Sequence, residues 1–136
     1  MKIVIDSNRI VAALLKDSTT RGILFNTNFN FIAPEFVKEE IKKHQQEFID
    51  KAGISEREFD LLLTLIFESV TLIAKSEYAQ LTDKLNTEMS DPKDVPYLAC
   101  CIATHSKGIW SHDPHIGEQK KVKVFTNIDL LRLIRS

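Results

Sequence analysis

The chain has 136 residues, 43% of them hydrophobic and 27% charged, which suits one globular domain with its own core and excludes a disordered chain. Lys and Arg number 18 against 19 Asp and Glu, so the formal net charge of −1 excludes a strongly basic chain, although a local basic rim can still meet an anion. No apolar run approaches the roughly 20 residues of a membrane helix, and the apolar stretch of MKIVID is too short for a signal peptide, so a cytoplasmic location is expected.

The first element is a short β-branched strand, Lys2 to Asp6, whose continuous apolar run suits a central strand buried on both faces. Ser7 or Asn8 then caps a helix reaching about Lys16, and a second short helix runs from Arg21 to about Asn26. Asn28 to Ala33 reads as a strand. Pro34 is placed to start a long helix, ended by Gly53, with Phe36, Val37, Glu40, Ile41, His44 and Phe48 close to one face. Ser55 with Glu58 three residues on forms a capping-box pattern, opening a helix that buries Phe59, Leu62, Leu63, Ile66 and Phe67. A strand, Val70 to Ile73, and a polar amphipathic helix, Ser76 to about Glu88, follow.

Next comes SDPKDVPYLACCIATHSKGIWSHD, from Ser90 to Asp113. Asp91 and Asp94 sit where a helix starts, and Val95, Leu98, Ala99, Ile102 and Ala103 repeat at helical spacing. Gly108 reads as the helix stop, Ile109 and Trp110 as a strand, and Asp113 as the start of a loop. Val122 to Phe125 is the last strand, and Thr126 or Asn127 caps a closing helix with Leu130, Leu131 and Ile134 inside. Strands separated by helices predict a single α/β domain over residues 1–136: a parallel sheet of about five strands with helices on both faces. Adjacent Cys100 and Cys101 fall inside a buried helix and read as small core residues.

Four acids stand out by position: Asp6 and Asp113 each follow a strand, Asp94 starts a buried helix, and Glu40 lies on a largely apolar helix face. Each has a structural use of its own: Asp6 and Asp94 as caps, Glu40 as a solvated helix acid, Asp113 before Pro114 as a turn former. Buried carboxylates need partners, and several in one crevice repel one another unless a cation neutralises them. Oxygen-only ligands suit a hard ion, Mg²⁺ or Mn²⁺, which serves phosphodiester hydrolysis.

With these residues the chain resembles the PIN domain family along nearly its whole length. Asp6-Ser7-Asn8 after the opening strand is similar to the family's first motif; PEFVKEEI, Pro34 to Ile41, to the helix carrying its Glu; DPKDVPYLA, Asp91 to Ala99, to its third motif; and IWSHD, Ile109 to Asp113, to its fourth. The resemblance implies a Mg²⁺- or Mn²⁺-dependent endoribonuclease with Asp6, Glu40, Asp94 and Asp113 as catalytic metal ligands, Glu39 and Asp91 being the neighbouring alternatives. It implies supporting roles for Ser7, Asn8, Asp91 and Ser111; His112 intervenes where the family commonly has Arg or Gly. Many small PIN proteins are VapC-like toxins of toxin–antitoxin pairs, often homodimers, so the resemblance implies an RNA substrate, a homodimer and a cognate antitoxin as partners. The alternative is a PIN-like module that binds RNA or protein without cleaving.

Arg9, Arg21, Lys93, Lys120, Lys121 and Lys123 are the cations near the motifs, and Arg9, Lys93 and Lys120 are the candidate phosphate contacts. His112 and His115 flank Asp113, but a structural zinc site wants four ligands, usually with thiolates, and the cysteines lie inside a helix. No phosphate-cradling glycine loop occurs, and the absence of DxD after the first strand speaks against a phosphatase. Tyr97 and Trp110 are expected in the core or at a subunit contact.

Overall fold

The computed structural model describes residues 1–136. Five strands, β1 (Lys2–Ile5), β2 (Asn30–Pro34), β3 (Val70–Ile73), β4 (Gly108–Trp110) and β5 (Lys123–Phe125), form one all-parallel sheet in the order β3-β2-β1-β4-β5. The helices are α1 (Ser7–Leu14), α2 (Ser18–Leu24), α3 (Phe36–Lys43), α4 (Gln45–Ala52), α5 (Glu56–Glu68), α6 (Ala79–Leu85), α7 (Val95–Ala103), α8 (Pro114–Glu118) and α9 (Asn127–Arg135). Strand order reverses at β1, so its carboxyl end, beside that of β4, is the switch point where open α/β sheets leave a crevice. The expected α/β domain with a five-stranded parallel sheet is what the chain forms. No helix is long and apolar enough to cross a membrane.

The central strand is buried from Ile3 to Ile5, residues with no exposed surface. Trp110 on β4 stacks at 5.0 Å from Phe31 on β2, across β1. The Ser55–Glu58 capping box forms in both directions, at 3.1 and 3.3 Å. Thr126, not Asn127, caps α9, with Asp129 closing a second box.

Local signals were misplaced where tertiary pairing overrode them. Of the cap candidates for α1, Asp6 is the N-cap, and Ser7 and Asn8 are its first helical residues. Pro34 ends β2 instead of starting a helix, paired with Ile73 of β3. The Glu35 N–H bonds Ile73 O, so the proline nitrogen faces the β1 side, past the last β1–β2 pair, Val4 with Ile32, where no ladder bond is lost. The long helix predicted from Pro34 to Gly53 divides at His44 into α3 and α4, each burying its own pair of residues, Val37 and Ile41, then Ile49 and Ala52. Gly108 is not the helix stop: α7 ends at Thr104 and His105, the latter at φ 55°, and Gly108 begins β4. A Cβ there would run into the Lys123 carbonyl and the Phe125 ring, so close approach of β5 requires glycine. The segment expected to be a plain turn after Asp113 contains α8.

Candidate active site

Asp6, Ser7, Asn8, Phe36, Glu40, Asp91, Lys93, Asp94, Pro96, Tyr97 and Asp113 line one crevice of about 600 Å³ at the carboxyl ends of β1 and β4. The four acids singled out from the sequence therefore share one space, with Ser7, Asn8, Asp91 and Lys93 around them.

Asp6 sits one residue past β1, its N–H bonded to Trp110 O at 3.1 Å, which carries the β1–β4 pairing to the crevice floor. The residue is 3% exposed. Oδ1 accepts the Asn8 N–H at 3.4 Å and Oδ2 accepts the buried Ser111 hydroxyl at 2.7 Å. Burial, helped by the charge of Asp113, holds its pKa above the usual carboxylate value despite those bonds. Ser111 Oγ in turn accepts the Asp113 N–H at 3.0 Å, and the Asp113 carboxylate accepts the His115 N–H at 2.8 Å as cap of α8. One hydroxyl thus ties the first acid to the last.

Asp91 and Asp94 divide their duties. Asp91 is the cap: it accepts the Lys93 N–H at 3.0 Å and opens the 3-10 turn Pro92–Asp94. Asp94, expected as a possible cap, makes no side-chain cap bond to α7. It is 7% exposed, and its Oδ2 is buried with no hydrogen-bond partner. Burial, then repulsion from Asp113, Asp6 and Asp91, pushes its pKa up to about 6. A carboxylate stranded in this way lacks a positive counterpart. Its immediate environment supplies three further acids and one weakly opposing imidazole, His115.

Glu40 reaches the crevice from α3, while Glu39 does not line it. Glu40 stands 4.0 Å from His44 one turn on, and both side chains are half-exposed. No three His, Cys, Asp or Glu side chains converge closely enough to enclose an ion by themselves. An open acidic crevice of this kind fits a hard cation that keeps several waters, as Mg²⁺ does, better than a closed zinc cage. His112 and His115 are engaged elsewhere: His112 Nε2 accepts the Asn127 N–H at 3.1 Å, and His115 Nδ1 stands 2.9 Å from Ser90 Oγ. Cys100 and Cys101 are buried core residues, their thiols pushed up to about 12 and about 11 by burial.

Of the cations, Lys93 stands at the crevice, and Lys120 is exposed but outside its lining. Arg9 is outside the lining and half-buried, with its Nε buried and unpartnered and its charge felt by Asp6 and Asp17. The sequence places Tyr97 in the core or at a subunit contact. It is 4% exposed, yet its hydroxyl meets the crevice wall, accepting the Ser7 N–H at 3.3 Å. The spacing of Asp94 and Tyr97, three apart on one helical face, is the signal that marks it.

No curated protein matches the sequence. The PIN domain family model matches residues 4–122, a span that contains all four acids, β2, β3, β4 and the second half of β1. The chain belongs to the PIN domain family, whose domains are in general nucleases and typically use divalent metals.

Proposed function

We propose that the protein is a Mg²⁺- or Mn²⁺-dependent endoribonuclease, the toxin component of a toxin–antitoxin pair. The observation that carries this reading is the buried, unpartnered Asp94 Oδ2 in a crevice shared with Asp6, Asp113 and Glu40. Asp6, Asp94, Asp113 and Glu40 would hold the ion. A bound divalent ion supplies acidified water and neutralises charge developing on a phosphodiester.

The chain's own residues prepare the rest. Ser111 holds Asp6 through its hydroxyl bond to Oδ2 and fixes Asp113 through the N–H it accepts. Ser7 and Asn8 begin α1 at the crevice wall, where Tyr97 anchors the Ser7 amide and Asp6 anchors that of Asn8. Lys93, exposed on the rim, is placed to meet an RNA phosphate. An antitoxin segment entering the crevice would compete by offering a cation such as Arg to the same carboxylates. Exposed Leu61 and Leu65 on α5 leave apolar surface for a second copy in a homodimer.

The test is cleavage of a panel of single-stranded RNAs with Mn²⁺ or Mg²⁺, beside Asp94→Asn. The expected result is metal-dependent cleavage by the wild type and none by the variant. RNA binding that is insensitive to EDTA and to Asp94→Asn, with no cleavage of any RNA, would overturn the reading in favour of a binding module. Growth arrest on expression, relieved by a co-expressed partner, tests the toxin assignment separately.

A further inference from the structure

Outside the crevice lining, one residue ties three elements together. Asn127, the first residue of α9, accepts the Trp110 indole N–H on Oδ1 at 2.8 Å. Its Nδ2 donates to Thr20 Oγ1 on α2 at 3.1 Å. Its backbone N–H donates to His112 Nε2 at 3.1 Å, which leaves the imidazole proton on Nδ1. Trp110 and Thr20 are both fully buried.

Capping does not require this side chain, because Thr126 and Asp129 already close the α9 terminus. The side-chain amide instead grips Trp110, and the backbone N–H of the same residue grips His112, the two neighbours of Ser111. Ser111 is the residue whose hydroxyl bridges Asp6 and the Asp113 N–H. We infer that Asn127 is a positioning residue for the acid crevice: by bonding Trp110, His112 and Thr20 at once, it fixes the Trp110–His112 segment, and with it the Ser111 hydroxyl that orients Asp6 and Asp113. Its kinetic consequence rests on the nuclease reading; its structural consequence and its effect on metal affinity do not. Groups that orient metal ligands from behind matter to affinity and rate nearly as much as the ligands, and their loss costs about ten- to a hundredfold.

The chain has one tryptophan, so the indole N–H of Trp110 is a single, assignable proton resonance. Asn127→Leu keeps the side-chain size and removes both amide bonds. The expected result is an indole proton shifted toward its unbonded position, a Mn²⁺ affinity lowered about tenfold by calorimetry, and kcat reduced with KM for RNA little changed. A folded Asn127→Leu with wild-type Mn²⁺ affinity overturns the inference. Should that variant fail to fold, Thr20→Val removes only the outer bond; a displaced indole resonance with a smaller loss of Mn²⁺ affinity supports the inference, and unchanged affinity overturns it. A wild type that binds Mn²⁺ but cleaves no RNA sinks the nuclease reading and leaves the affinity comparison to decide this one. A wild type that binds no Mn²⁺ overturns both.

Discussion

The Ser111 hydroxyl lies 2.7 Å from Asp6 Oδ2, a contact between residues 105 apart in the chain. It is the strongest anchor of a carboxylate that burial otherwise penalises, and the same oxygen receives the Asp113 N–H. Ser111→Ala leaves both groups short of a partner and pushes the Asp6 pKa higher still. The expected loss is about 1–2 kcal/mol in urea denaturation and about ten- to a hundredfold in metal-dependent RNA cleavage. Unchanged cleavage would show that Asp6 is oriented by the α1 backbone alone.

Asp94 sets a pH dependence whose sign follows from its direction of shift. Its folded pKa, about 6, lies above the ordinary 3.8. Between those values the folded protein binds a proton that the unfolded chain has released, so stability of the metal-free protein falls as pH rises through that window. Asp94→Asn removes this penalty. In EDTA the melting temperature of the variant should exceed that of the wild type, by a margin that grows from pH 4 to pH 6 and then holds. Addition of Mg²⁺ should raise the melting temperature of the wild type and leave that of the variant unmoved. A pH-independent margin would mean that Asp94 is not the group responsible.

Glu39 and Glu40 separate by position on α3. Adjacent helical residues point about 100° apart, and only Glu40 lines the crevice. Glu40→Gln should abolish or sharply reduce cleavage while stability stays within about 0.5 kcal/mol, because the side chain is half-exposed and its His44 contact is a long one. Glu39→Gln should leave both cleavage and stability as they are. Equal losses from the two variants would move the acidic role to the helix as a whole.

The frame of the molecule was legible because its signals are local. The β-branched run Ile3 to Ile5 marks the central strand, and the Ser55–Glu58 box marks the start of α5, each within a few residues. Asp6, Asp94 and Asp113 were legible because each stands at an element boundary, which the parallel topology gathers at one end of the sheet, and Glu40 because it interrupts a largely apolar face of α3. Signals with long-range causes were not. Pro34 looks like a helix opener until β3 is seen beside it, and Gly108 looks like a helix stop until β5 is. Asn127 looks like one more capping residue, yet its side chain answers Trp110 and Thr20, which lie 17 and 107 residues away. The ring of Tyr97 reads as core or subunit contact, and nothing local in the sequence shows that its hydroxyl takes the Ser7 N–H.

The basic residues carry the last distinction. Lys93 is exposed on the crevice lining and its own N–H is pinned to Asp91, so the turn that presents it is fixed. Lys120 is equally exposed but lies outside that lining, beyond α8 and before β5. A phosphate contact at Lys93 contributes about 0.7 to the slope of log affinity against log salt for a single strand, and a solvated lysine contributes nothing. Lys93→Ala should therefore weaken RNA binding, raise KM and flatten the salt dependence by about that amount, with kcat preserved because the lysine meets RNA rather than the acids. Lys120→Ala should change none of these. Salt titrations of fluorescent RNA on the two variants settle it: matching losses would route the strand along the β5 edge, and a loss confined to Lys120→Ala would take RNA off the Lys93 rim altogether.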